Sequence, residues 1–242
     1  MKSTSTRHTH DAWQHLNPRH FSPAKCQTAH QHQFKQLCIA AALVVFNPAW
    51  AQSLFPVAQP VLQIGDAWTG QTTDLWNNTL LRTSDSTYVA TESDRSVFRG
   101  STSTEPAPVT FLQTKDRQNC RSMQGSTALV CAQWFAFPMT LGQKTKVEKS
   151  PFLSGEGFND ATCEVMAEEK VTVPAGTFDA VRIDCKGFWN RVFNGSNNGP
   201  FTQKIWYAPA VKAVVRQDYE DRNRGAVFNK NRFELTAFVP AK

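Results

Sequence analysis

From Pro60 onward the chain alternates between short runs rich in Val, Ile, Thr, Phe, Trp and Tyr and clusters of Gly, Pro, Asn and Asp. No stretch carries the apolar period of a long helix, and connections this short leave no room for the helical crossovers that parallel strands need. Consecutive strands should therefore pair antiparallel, as a meander. The runs predict thirteen strands: Pro60–Trp68, Thr79–Arg82, Thr87–Thr91, Val97–Arg99, Val109–Lys115, Asn119–Met123, Thr127–Phe137, Lys144–Lys149, Thr162–Val173, Thr177–Phe188, Thr202–Tyr207, Val211–Tyr219 and Ala226–Phe238. In Thr127–Phe137 both strand faces are apolar, with Leu129, Cys131, Phe135 and Phe137 on one and Val130, Ala132, Trp134 and Ala136 on the other. A sheet open to water on one side cannot hold such a strand. The expected fold is all-β: a strongly curved antiparallel meander, half-barrel or barrel, with little helix.

Turn chemistry fixes two registers. Val173-Pro-Ala-Gly-Thr177 reads as a three-residue hairpin loop with glycine in the left-handed region, which pairs odd residues with odd. Gln124-Gly-Ser-Thr127 reads as a tight turn with Gly125 at its first central position, which sets Cys120 opposite Cys131. Opposed antiparallel residues lie within disulfide reach, so a Cys120–Cys131 bridge is expected. Cys163 and Cys185 share a face of the Pro-Ala-Gly hairpin but fall on a diagonal, so their bridge needs extra twist or a second bulge. A four-thiolate zinc site lacks the CxxC spacing such sites use.

Leu37–Phe46 is an apolar run followed by Pro48 and Ala49-Trp-Ala51, the pattern of a secretory signal cleaved between Ala51 and Gln52. The expected organisation is a signal segment with an over-long His-rich leader at 1–51, best explained by an over-extended start, and one exported domain at 52–242. Lys35-Gln-Leu37 before Cys38 lacks the small residues of a lipid-anchor site. All six histidines precede residue 52, so the exported domain has no Ser-His-Asp triad, no Cys-His pair and no histidine-ligated metal. Losing 1–51 removes five of the 26 Lys/Arg and one of the 20 Asp/Glu, and formal charge falls from +6 to +2. A nearly neutral domain gives no electrostatic reason for a nucleic-acid partner. Ten apolar residues are too few to span a bilayer, and no later segment approaches the length required, so no membrane span is expected in the mature chain.

Without histidine, acid/base chemistry falls to carboxylates, with Glu164, Glu168 and Glu169 as candidates for a polysaccharide-cleaving pair. Glu164 and Glu168 alternate with Val165 and Ala167 and, with Lys170, read as the wet side of an amphipathic strand. Glu169 and Asp179 read as the wet end of the hairpin. The expectation is that the protein is not an enzyme and holds no metal or cofactor. The aromatic cluster Phe188, Trp189 and Phe193 beside Asn194-Gly-Ser-Asn-Asn-Gly-Pro200, followed by Trp206 and Tyr207, is the candidate ligand-binding surface.

Five blocks occur in order: Gly65-Asp-Ala-Trp68; Phe137-Pro-Met-Thr-Leu-Gly142-Gln-Lys144; Val173-Pro-Ala-Gly-Thr-Phe178; Trp206-Tyr-Ala-Pro-Ala-Val211; and the closing Phe233-Glu-Leu-Thr-Ala-Phe238. Together they resemble a broad class of uncharacterised exported bacterial β-proteins that share GD-x-W, FP-x-x-x-G-x-K, VPAGTF and WYAP-x-V segments. Lys212 stands where that class commonly has glycine. The resemblance implies a strongly curved antiparallel sheet, loosely similar to the half-barrels of periplasmic lipoprotein carriers, and no catalytic residues. The expected role is a periplasmic or secreted envelope protein that binds an apolar, lipid-like small molecule. The alternatives are a structural protein with a self-filled core and an envelope protein as partner, or a carboxylate-dependent enzyme on envelope polysaccharide.

Overall fold

The computed structural model describes residues 53–152, 154–191 and 197–242; the expected cleavage point at Ala51 and Gln52, and Phe193, lie outside them. Among the described residues, twelve strands form one antiparallel sheet: β1 (Ala67–Asp74), β2 (Thr79–Glu92), β3 (Arg95–Thr102), β4 (Val109–Thr114), β5 (Asn119–Ser122), β6 (Leu129–Cys131), β7 (Lys144–Pro151), β8 (Gly157–Val173), β9 (Gly176–Arg191), β10 (Asn197–Ala208), β11 (Ala213–Asn223) and β12 (Ala226–Val239). The sheet order is β6-β5-β4-β3-β2-β1-β12-β11-β10-β9-β8-β7. Every neighbouring pair is therefore a meander step except β1 with β12, which joins the two halves. The sheet curls into a nearly closed barrel, and Gln124 N donates to Gly155 O at 2.9 Å across the gap between its ends. Among the described residues the helical content is one 3₁₀ turn, Pro209–Val211.

Three sequence expectations need correction. Thr79–Arg82 and Thr87–Thr91 are one long strand, and most of Pro60–Trp68 lies outside the sheet. The run Thr127–Phe137 is strand only at Leu129–Cys131; its continuation turns inward and fills the curved sheet. Ala132, Phe135 and Met139 are buried against Val147, Val165, Ile183 and Tyr207, and a two-way Val57–Met139 backbone bridge (3.0 and 2.9 Å) pins this plug. Ala132 and Phe135 are buried in this core and Trp134 and Phe137 pack against it, so both faces of the segment meet apolar surface.

The turns differ in detail too. The tight turn is one residue earlier than expected, Met123–Ser126, with Gly125 at φ 78°. The connection is longer than a two-residue loop, yet symmetric about the same point, so Cys120 still opposes Cys131 and the bridge forms with Cα atoms 4.0 Å apart. In the β8–β9 hairpin the loop is only Pro174-Ala175, with Val173 paired to Gly176, not the three-residue loop expected. A bulge at Met166 then shifts the register, restores odd-to-odd pairing and places Cys163 directly opposite Cys185, where the second disulfide forms.

A second core cluster gathers Trp68, Phe98, Trp206, Val215 and Leu235. The hairpin tip reaches it, with Ala175 N donating to Leu235 O at 3.1 Å.

Candidate ligand cavity

Antiparallel partners point to the same side of a sheet, so the registers assemble the inner wall row by row. One row across β1–β4 is Trp68, Ser86, Gly100 and Val109; the next across β1–β3 is Gly70, Ser84 and Thr102; Thr72 and Arg82 follow. These inward positions are mostly small. Across β9 and β10 the inward positions are instead Ile183, Trp189, Phe201, Ile205 and Tyr207, and the plug covers them. The difference in side-chain size leaves a cavity of about 610 Å³ over the β1–β6 half, within the range of small-molecule sites.

Trp68, Phe111, Phe233, Val109 and Leu129 give the cavity apolar surface, and Arg82 and Arg121 give it positive charge. The Phe233 ring covers Gly70: a Cβ there would come within 2.3 Å of the ring, which would have to move. Trp68 anchors it. Its Nε1 donates to Val211 O at 2.7 Å, and its ring stacks on Phe238 at 5.5 Å. Arg117 lies 4.4 Å from the Trp68 ring centroid and 4.7 Å from that of Phe98, and its Nη1 donates to Gln113 Oε1 at 2.8 Å. Burial pulls this guanidinium down to about 10, against the opposing pull of Tyr207 and Asp66.

The GD-x-W and WYAP-x-V blocks interlock beside this wall. Buried Asp66 accepts from Gln63 N (2.8 Å), Ala241 N (3.0 Å) and Lys212 Nζ (2.8 Å). Burial alone would raise its pKa, but the Lys212 bond and the two backbone donors outweigh that and hold it below the ordinary carboxylate value. Lys212 itself has φ 55°, a left-handed conformation that glycine adopts at no steric cost, and its amine reaches the carboxylate.

The aromatic residues singled out from sequence are not brought together. Tyr207 and Trp189 face the plug side: Tyr207 packs against Phe135 and Phe137, and Trp189 donates from Nε1 to Arg222 O at 3.1 Å. Trp206 is on the opposite face, with Nε1 on Glu169 at 2.9 Å and Arg216 over its ring. Phe188 is 57% exposed, and Asn197–Pro200, expected as loop, belongs to β10. None of these residues lines the cavity. The carboxylates are all engaged: Glu164 with Lys144, Glu168 with Ser53 Oγ and Phe55 N, Glu169 with Arg182 and Trp206. The cavity left one trace in sequence, the small residues recurring at strand period in Ser84, Ser86, Gly100 and Thr102.

No protein-family model and no curated protein matches the chain. Among solved structures, it is similar to a protein assigned as exported, with a YmcC-like fold, from Bacteroides fragilis (14% identity, 75% of this chain and 99% of that one, TM-score 0.47). It is also similar to a protein assigned as a lipoprotein from Parabacteroides distasonis (12% identity, 75% and 98%, TM-score 0.44).

Proposed function

We propose that this is an exported, non-catalytic binding protein that holds a hydrophobic, lipid-like ligand inside its curled sheet. The observation that carries this reading is the 610 Å³ space between small inward residues and the rings of Trp68, Phe111 and Phe233. A chain selected only to fill its own barrel would put large side chains at these positions, as it does on β9 and β10. Export is supported by the two disulfides, which fit an oxidising compartment. A structural role with a self-filled core draws support from the plug, which packs over β8–β10.

Ser84→Phe tests the two readings. It places a ring in the cavity and touches neither the plug nor the disulfides, so uptake of a fluorescent apolar probe should fall at least about tenfold with the melting temperature within a few degrees of wild type. Mass spectrometry of lipid extracts from the exported protein should find a bound amphiphile that Ser84→Phe lacks. A wild-type protein that takes up no probe and carries no lipid is the self-filled alternative.

A further inference from the structure

Arginines at this depth are elsewhere matched with an acceptor. Arg182 meets Glu169, Arg216 and Arg232 share Asp218, and Arg117 is held by two rings and Gln113. Arg99 and Arg224 have no ion pair among the described residues but are exposed. Arg82 and Arg121 differ: both are half-buried, both line the cavity, and among the described residues neither has a side-chain hydrogen bond or an ion pair. Burial lowers the pKa of Arg121, and the charge of Arg82 lowers it further, so the two cations feel each other. The two acidic residues of the lining, Asp85 and Glu105, are both exposed; Asp85 accepts from Ser101 Oγ, and among the described residues neither pairs with Arg82 or Arg121. Two uncompensated guanidinium groups in a partly dry cavity are unfavourable until an anion enters.

Resting on the binding role proposed above, we infer that the cavity takes an anionic amphiphile, with its phosphate or carboxylate head between Arg82 and Arg121 and its apolar tail along Trp68, Phe111 and Phe233. A guanidinium presents parallel donors that match two oxygens of one head group, and charge-assisted bonds of this kind are the strong ones. The rings beside them accept a chain and offer no competing charge.

The test uses the exported protein and four probes below their aggregation limits: dodecyl phosphate, dodecanoate, the uncharged monoglyceride of dodecanoic acid, and inorganic phosphate. Calorimetry should rank one or both anionic amphiphiles at least about tenfold above the monoglyceride, with inorganic phosphate far weaker than dodecyl phosphate. Arg82→Gln and Arg121→Gln should each lower affinity for the preferred anion by about 10- to 100-fold, as loss of a charged hydrogen bond does, and shift monoglyceride binding by less than about threefold. Arg121→Lys keeps the charge without the paired donors and should fall between. Near-ultraviolet circular dichroism on each variant checks folding, and Arg121→Gln should melt no lower than wild type because a like-charge contact is relieved. Equal binding of charged and uncharged amphiphiles, or anion affinity that survives both glutamine variants, overturns the head-group site and leaves the apolar-ligand reading standing. Inorganic phosphate binding as tightly as dodecyl phosphate overturns the amphiphile in favour of a free anion. No binding of any amphiphile overturns the binding role itself.

Discussion

Lys212 carries two opposed effects on one residue. Its left-handed backbone costs about 1 kcal/mol relative to glycine, while its amine neutralises a carboxylate that has no exposure. Lys212→Gly should relieve the first and lose the second; an unpaired buried charge costs about 3–5 kcal/mol, so the variant should melt roughly 10 °C lower. The carboxyls of Asp66 and Asp218 are both held below their ordinary value. For Asp218, burial works upward, and the hydrogen bonds from Arg232 and Arg216 outweigh it. Groups lowered on folding stabilise the fold above the unfolded carboxylate range and lose that contribution as pH falls through the folded value. Melting temperature should therefore hold from neutral pH to about 5 and drop below about 4, less steeply in Lys212→Gly. Tyr207 is the opposite kind of residue. Burial pushes its phenol far up, Arg117 pulling the other way, and its hydroxyl has no hydrogen-bonding partner among the described protein atoms. Tyr207→Phe should therefore be neutral or stabilising by about 1 kcal/mol in a denaturant titration, where a phenol doing structural work would lose that much or more. Sequence marked Gly65-Asp-Ala-Trp68 and Trp206–Val211 as blocks, but their meaning is a contact between residues about 145 apart, which no local pattern encodes.

The β8–β9 hairpin shows the same limit at the next scale. Face alternation correctly put Val165, Ile183, Cys163 and Cys185 together, because one buried face specifies pairing strongly. The loop length was not recoverable, since Pro-Ala-Gly accommodates either a two- or a three-residue turn, and the Met166 bulge that compensates leaves no turn signal of its own. Each disulfide closes a short loop, 11 and 22 residues apart in sequence. In the chain-entropy picture each contributes about 3 kcal/mol. They should nonetheless differ: Cys163 and Cys185 are 1% exposed in the main core, so replacing both with alanine adds a cavity cost. Guanidinium melts should show Cys163→Ala/Cys185→Ala losing more than Cys120→Ala/Cys131→Ala, and equal losses would mean that packing around the buried bridge contributes nothing.

For the whole molecule, strand-forming runs and short connections were enough to read an all-β antiparallel meander that must curl. The cavity was not legible, because which inward positions face empty space depends on the joining of β1 to β12 and on the plug lying over β8–β10 instead of β1–β4. The aromatic-rich stretch expected to form a ligand surface lies away from the cavity, whose wall is rich in serine and glycine. The way the sheet ends has its own consequence. An incompletely closed barrel has two open borders onto which another chain could add strands and build a ribbon. Here β6 offers only three residues, fastened to β5 by Cys120–Cys131, and β7 sets Lys144, Lys146 and Glu148 in alternation along its length. Any copy approaching either border meets too little backbone to pair with, or a row of charges it would have to strip of water, so the polymerisation hazard of an open sheet is held in check although the barrel stays unclosed.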